Sequence, residues 1–249
     1  MYNPFSLIGK TILITGASSG IGRATAIECS KLGAKLIITG RNEERLHETL
    51  ALLNSDEHIT ICCDLSQEQC IKEFCTQLPK DIDGVAHCAG ISSLKPIVAL
   101  NTQNLQDIFS TNYYAPVLLT KHLVKAKKLQ QGASLVYVGS ISGVSNVATA
   151  LSAYGSSKSA LNSFVQYAAL ELAGKQIRCN AVLPGRIETQ LLQNQTMSEE
   201  DLQKDIAKYP LHRYGTTTEV AQAIVYLLSD ATKWITGTSI TIDGGRSLI

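Results

Sequence analysis

Thr11-Ile12-Leu13-Ile14-Thr15-Gly16-Ala17-Ser18-Ser19-Gly20-Ile21-Gly22 is the stretch whose reading decides the fold of this chain. Its first five residues are β-branched or aliphatic and read as a buried strand. Three spaced glycines then form a turn, and the residues after it carry a helical pattern over 20–32. Gly16 permits the tight turn, Gly20 lets backbone approach a pyrophosphate, and Gly22 allows helix and strand to pack closely. Ser18, Ser19 and Ile21 complete the loop. The helix start offers free N–H groups and the positive end of a dipole to phosphates. The spacing is G-x-x-x-G-x-G, not the commoner G-x-G-x-x-G, so its place between strand and helix weighs more than the glycines themselves.

Outward from that stretch the pattern repeats. Strands are expected at Thr11–Thr15, 35–39, 60–63, 84–88, 134–139, 177–183 and Ser239–Ile242. Helices are expected at 20–32, 43–53, 67–78, a long one over about 102–130, then 153–173 and 219–228. Strand and helix in strict alternation imply right-handed crossovers and a parallel sheet covered on both faces. The continuous apolar run Leu135-Val136-Tyr137-Val138 suits such burial. No internal repeat or linker interrupts the rhythm. The expected fold is α/β, a doubly wound (Rossmann) parallel seven-stranded sheet with helices on both faces, in one domain over 1–249.

Bulk composition excludes several classes. With 249 residues, 45% hydrophobic and 17% charged, the chain can bury a large core. A net charge of +1 supplies no field for nucleic acid or an anionic membrane. No apolar run reaches the roughly 18 residues of a membrane span, and residues 1–10 lack a signal-like apolar region. A cytoplasmic protein is expected. The seven cysteines are odd in number, lack C-x-x-C, and sit partly in apolar runs such as Ile61-Cys62-Cys63. They read as reduced, buried thiols and not as a disulfide framework or zinc site. No metal is expected.

The end of the second strand bears on the cofactor. An enzyme preferring NAD places a carboxylate there, about 20 residues past the loop, to hold the ribose 2′-hydroxyl. Here Ile38-Thr39-Gly40-Arg41-Asn42 offers no acid before Glu43. The Arg41 guanidinium suits a 2′-phosphate, unless it pairs with a glutamate at the next helix start. NADP(H) is therefore preferred, with NAD(H) left open. Asp64, after the third strand, can accept from the adenine amino group or serve only as a helix cap.

Tyr154 and Lys158 lie four residues apart in an expected helix, hence on one face, about 6 Å apart in rise. A phenol and an ammonium so placed form an acid able to exchange a proton with a carbonyl oxygen. Half-ionising an ordinary tyrosine at neutrality takes roughly 4 kcal/mol. One ammonium at about 5 Å in an effective dielectric near 20 supplies roughly 3 kcal/mol.

Taken together, the Thr15–Gly22 loop, Asp64-Leu65, His87-Cys88-Ala89-Gly90, Asn112, Ser140, Tyr154/Lys158, Pro184-Gly185 with Thr189, and Thr236-Gly237 with Asp243-Gly244-Gly245 resemble the short-chain dehydrogenase/reductase family. The likeness runs nearly end to end, in the single-domain branch, and the C-terminal pattern is most similar to 3-oxoacyl-[acyl-carrier-protein] reductase-like members. The resemblance implies Tyr154 as general acid in reduction and base in oxidation. It implies Lys158 on the nicotinamide ribose, lowering the phenol pKa. Ser140 would donate to the substrate oxygen, and Asn112 would position a relay water. Leu65, Ala89, Gly90 and Ile187 would adjoin the cofactor, and Pro184-Gly185 with Thr189 would cradle the nicotinamide amide. A homo-oligomer, tetramer or dimer, is also implied.

Three positions depart from the commonest pattern. His87-Cys88 replaces two asparagines, which removes an amide tie and is expected to loosen the fourth strand slightly. Ser19 stands where some NADP enzymes carry a second basic residue. Arg186 follows Pro184-Gly185 and meets either an anionic substrate group or the acidic helix at Glu199–Asp201. The polar segment 186–214, with Gln190, Gln193, Asn194 and Gln195 and a helix start at Ser198, is expected to be a lid over the crevice, the alternative being solvated surface helices. Ser92, Ser93, Leu94, Val144, Asn146 and Arg186 would line the substrate pocket. The expected activity is hydride transfer between NADP(H) and a small-molecule carbonyl or secondary alcohol, a 3-oxoacyl thioester among the candidates. The alternatives are a non-catalytic NADP-binding sensor and a sugar-modifying member of the same family.

Overall fold

In the computed structural model, residues 2–55, 57–189 and 198–249 are described. Seven parallel strands form one sheet: β1 (Thr11–Thr15), β2 (Lys35–Gly40), β3 (Ile59–Cys62), β4 (Ile82–His87), β5 (Leu129–Val138), β6 (Arg178–Pro184) and β9 (Ser239–Ile242), in the order β3-β2-β1-β4-β5-β6-β9. The order reverses between β1 and β4, which opens a crevice beyond their carboxyl ends. Two short strands, β7 (Ile187–Glu188) and β8 (Gly215–Thr216), pair in parallel outside the main sheet. They zip the two ends of the segment expected to be a lid.

The helices are α1 (Gly20–Lys31), α2 (Glu43–Leu50), α3 (Glu68–Gln77), α4 (Thr102–Phe109), α5 (Ala115–Lys125), α6 (Ser152–Leu172), α7 (Glu199–Ile206) and α8 (Thr217–Leu228). One face of the sheet packs Leu13, Val85, Leu135 and Cys179 against Phe74, Leu119, Leu161 and Val165. The other packs Ile12, Ile14, Leu36 and Val136 against Ala26, Leu46, Val220 and Ile224. Strands apolar on both sides follow from this two-sided cover. Among the described residues, no helix is long and apolar enough to cross a membrane.

The long helix expected over 102–130 is corrected. It divides at a π-helical turn, Ser110–Tyr114, and α5 stops at Lys125. Lys127 adopts a left-handed φ of 52°, Ile82 N–H bonds the Lys128 carbonyl, and Leu129 already pairs with Ile82 on β4. Lys128-Leu129-Gln130-Gln131 has helix-forming residues, but pairing with β4 overrides their local preference. The remaining differences are element ends displaced by a residue or a few.

Candidate active site

The glycine loop joins β1 to α1 as its residues require. Gly16 has φ +66°, and a Cβ there would stand 2.7 Å from Ala89 Cα. A Cβ on Gly22 would lie 2.2 Å from the Gly16 carbonyl oxygen. Gly20, φ +54°, would meet only Thr189 Cγ2 at 3.7 Å, so its outer side is open and Thr189 closes over the loop from just past β7. Ser19 is the N-cap of α1, yet makes no side-chain cap bond, and the first turn holds no acid. By contrast, α2, α4, α7 and α8 are all capped by side chains. The cradle and the uncapped helix start fit a pyrophosphate.

The loop is held from behind by residues the sequence reading passed over. Arg23 donates from Nη2 to the Ser18 carbonyl at 2.8 Å, and from Nε to Thr49 Oγ1 at 2.9 Å. Thr49 in turn donates to the Ala17 carbonyl at 2.9 Å. Thr15 Oγ1 accepts from Cys88 N–H and Ala89 N–H, at 3.1 and 3.2 Å, and so ties the ends of β1 and β4. An arginine one residue past a glycine motif gives no sequence signal of this role.

At the far end of β2, Arg41 is exposed, and no ion pair to it is found among the described residues. The neighbouring Asn42 is occupied in capping α2 through Arg45 N–H. Pairing with a helix-start glutamate, the duller expectation for Arg41, is not what the side chains do. Asp64 accepts from Ser66 N–H at 3.0 Å and so helps form the turn into α3, while Leu65 is buried in the core.

Lys158 and Asn112 are the buried centre. Lys158 Nζ is almost wholly buried and donates to the Val138 carbonyl at 2.7 Å. Burial lowers its pKa to about 8, with Cys88 pulling it slightly the other way. A Cβ on Gly90 would approach this Nζ to 3.3 Å and Asn112 Oδ1 to 3.4 Å, so glycine keeps the ammonium's surroundings clear. Asn112, inside the π-helical turn, accepts from Ile91 N–H and donates to the Ile91 carbonyl and to Ser157 Oγ. Those contacts occupy its side chain with protein partners.

Tyr154 stands one turn before Lys158 on α6, half-buried, beside the buried Ser140. Burial raises its pKa, and a hydrogen bond with Ser140 opposes the rise. The direction differs from the lowering expected of Lys158, because burial outweighs the help from Ser140. Ser140 Oγ also accepts from Ser142 N–H. Across the crevice, Gly185 is pressed against Asp243, where a Cβ would fall 2.9 Å from Asp243 Cβ. Ile187 is buried in the core, which leaves only its backbone for a ligand.

Two departures resolve differently from expectation. His87 does not loosen β4. Its ring stacks on Tyr137 at 4.5 Å, and Nε2 lies 3.3 Å from Thr120 Oγ1, which bonds Tyr137 Oη at 2.8 Å. Burial drives the His87 pKa down to about 3, so a neutral ring ties β4 to β5 and α5. Arg186 reaches an acidic helix, but at Asp205 and not at Glu199–Asp201. Nη1 is 3.0 Å from Asp205 Oδ2, the Tyr214 hydroxyl donates to that same oxygen at 2.8 Å, and the guanidinium lies 5.1 Å from the Tyr214 ring centre. Ser92 and Val144 are exposed and Asn146 is half-buried, its backbone forming the turn with Gly143. Gln190, Gln193, Asn194 and Gln195 of the expected lid lie outside the described residues. Among the described residues no cluster suits a metal ion.

This geometry agrees with what the chain is similar to. A family model described as enoyl-(acyl carrier protein) reductase matches residues 16–247. The human 3-oxoacyl-[acyl-carrier-protein] reductase is 35% identical over 243 residues, 96% of this chain and 99% of that protein. A short-chain type dehydrogenase/reductase from Mycobacterium marinum superposes with a TM-score of 0.87 at 30% identity, over 98% of this chain and 97% of that one. The RhlG/NADP active-site complex of Pseudomonas aeruginosa gives 0.91 at 27%, over 99% and 100%. A parallel sheet reversing between β1 and β4, with Tyr154 and Lys158 on one face of α6, places the chain in the short-chain dehydrogenase/reductase family of oxidoreductases.

Proposed function

We propose that the protein is an NADP(H)-dependent reductase of an acyl-chain ketone, in the manner of a 3-oxoacyl thioester reductase. The observation that carries the reading is the triad of polar groups at the ends of β5 and α6. Tyr154 is hydrogen-bonded to Ser140, one helical turn from a buried lysine that has no carboxylate partner among the described residues. When bound, the reduced nicotinamide supplies the hydride. Tyr154, kept protonated at neutral pH by burial, gives its proton to the carbonyl oxygen. Ser140 donates to that oxygen where charge develops, which is where a fixed donor counts most. Lys158 exchanges the Val138 carbonyl for the ribose hydroxyls, and the clearance at Gly90 supports that exchange. Asn112 braces Ile91, the residue after Gly90.

The uncapped start of α1 supports binding of the pyrophosphate, and the exposed Arg41, without an ion pair among the described residues, supports a 2′-phosphate. The NADP complex of RhlG lends the same support. For the substrate, the loops after β4 and β5 expose Leu94, Ile97, Val98, Val144 and Val147. They are bridged by Lys95 N–H on the Ala150 carbonyl at 2.8 Å. An apolar rim of this kind favours an acyl chain over a sugar, in keeping with the acyl-carrier relatives. Two copies of the chain associating through α6, which exposes Tyr167 and Leu170, complete the proposal.

The test is NADPH oxidation with 3-oxoacyl thioesters of increasing chain length, beside small ketones and sugar ketones. The reading expects kcat/KM to rise with chain length, Tyr154→Phe to lose about 10²–10⁴-fold, and Val144→Asp to erase the chain-length trend. Binding of NADPH without turnover of any carbonyl would support a sensor instead.

A further inference from the structure

Three thiols gather near Asp64, well away from Tyr154. Cys62 ends β3 and is exposed, Cys63 beside it is buried, and Cys70 is half-buried in the first turn of α3. The Sγ atoms of Cys63 and Cys70 are 2.7 Å apart. Between them in sequence lie Asp64 and Leu65. The ten-residue α3 has Gln67 as its N-cap, without a side-chain cap bond, and Cys70 in its first turn is more open to an external reagent than the buried Cys63. Glu68, in the same turn, directs its carboxylate to His122 at 3.2 Å and to Lys121 and Lys72 at 3.6 and 3.7 Å.

We propose that Cys63 and Cys70 form a reversible dithiol–disulfide site, oxidised by a low-molecular-weight disulfide such as oxidised glutathione, whose state alters NADP(H) affinity. The second half rests on the adenosine placement proposed above; the first does not. Cys70 is the attacking sulfur, since burial and the neighbouring Cys70 both hold the Cys63 thiol in its protonated form. The Cys70 thiolate attacks one sulfur of the external disulfide, forming a mixed disulfide and releasing one thiolate. Cys63 then loses its proton and displaces the second thiolate. In total two protein thiols and one external disulfide give one protein disulfide and two external thiols, with two electrons passing outward. A disulfide spans about 2.05 Å, so the sulfurs need to approach by well under an ångström. The ring so closed contains Asp64 and Leu65, and oxidation re-aims both. By linkage, bound NADP(H) must shift the dithiol equilibrium by the same factor that oxidation shifts its affinity.

The test equilibrates the full-length protein in buffers of stepped reduced-to-oxidised glutathione ratio, followed by intact mass and peptide mapping. NADPH titration of each form completes it. The proposal expects a species lighter by two hydrogens that maps to a Cys63–Cys70 crosslink. The crosslink is kept in Cys62→Ser and lost in both Cys63→Ser and Cys70→Ser. It also expects NADPH binding about fivefold weaker in the oxidised form, the low end of ordinary coupling between sites. Glutathione adducts alone, with no crosslink, overturn the proposal. A crosslink with unchanged NADPH affinity overturns the coupling. Reduced protein that binds no NADPH contradicts the cofactor reading and leaves the dithiol site to be judged by its crosslink.

Discussion

Replacing Lys158 with methionine should stabilise the protein while removing its activity. The side chain is buried, holds a positive charge, and donates to the Val138 carbonyl. Burial brings its pKa from an ordinary 10.5 down to about 8. At about 1.4 kcal/mol per pH unit, that is roughly 3 kcal/mol of desolvation carried by the fold. Methionine fills a similar volume without charge. Against the gain stands the bond lost at Val138, about 1 kcal/mol. The difference, about 2 kcal/mol, should raise Tm by roughly 4–8 °C in a chain of this size. Carbonyl reduction should fall by at least about 10²-fold, as when a group that stabilises developing charge is removed. Differential scanning fluorimetry and steady-state NADPH oxidation measure the two effects on one preparation. A methionine variant less stable than the parent would refute the desolvation argument, and one that kept its kcat/KM would refute the role given to the ammonium.

Arg41→Ala should weaken NADPH by about tenfold or more, the loss of a charge-assisted phosphate contact, and leave NADH nearly unchanged; equal losses in parallel titrations would remove the 2′-phosphate assignment. Asp205→Asn breaks the contact of α7 with Arg186 and Tyr214. It should raise KM several-fold for every substrate while kcat stays within about threefold, and a selective loss for anionic substrates alone would return Arg186 to a substrate role. Stability should fall as pH rises above about 9. Burial lifts the thiols of Cys75, Cys88 and Cys179 to about 11, 12 and 12, so the folded state keeps protons that the unfolded chain has released. The stability is fully present below the unfolded value and is lost as pH climbs towards the folded values, at up to about 1.4 kcal/mol per pH unit for each thiol. Lys158 acts in the opposite direction between pH 8 and 10.5, but it is one group against three. Chemical denaturation at pH 9, 9.5 and 10 checks the slope, and a flat profile would contradict it.

What was legible in the sequence is whatever local spacing encodes. Gly16, Gly20 and Gly22 announce a turn between strand and helix, and continuous apolar runs announce strands covered on both faces. Tyr154 and Lys158 declare a shared face because 3.6 residues make a turn. What was not legible depends on partners distant in the chain. Nothing near Asn112 signals a π-helical turn; its amide is claimed by Ile91, 21 residues away. His87 reads as the loss of an amide, yet Tyr137 and Thr120, from other elements, turn it into a tie. The Lys158 contact with Val138 spans 20 residues, and the burial that reverses the expected pKa direction of Tyr154 comes from the packed fold. Arg186 shows the middle case: its acidic partner helix was legible, and the choice of Asp205 was not, because that carboxylate is shared with Tyr214, 28 residues further along the chain.

The most direct measurement supplies NADPH deuterated at nicotinamide C4, on the transferred face, with a 3-oxoacyl thioester, and reads the hydroxy product by mass spectrometry. Proton donation by Tyr154 to an oxygen whose carbon receives hydride from the cofactor predicts one deuterium at the carbinol carbon with the parent protein and essentially none with Tyr154→Phe. Product without deuterium, or equal labelling by the phenylalanine variant at an undiminished rate, would contradict the account.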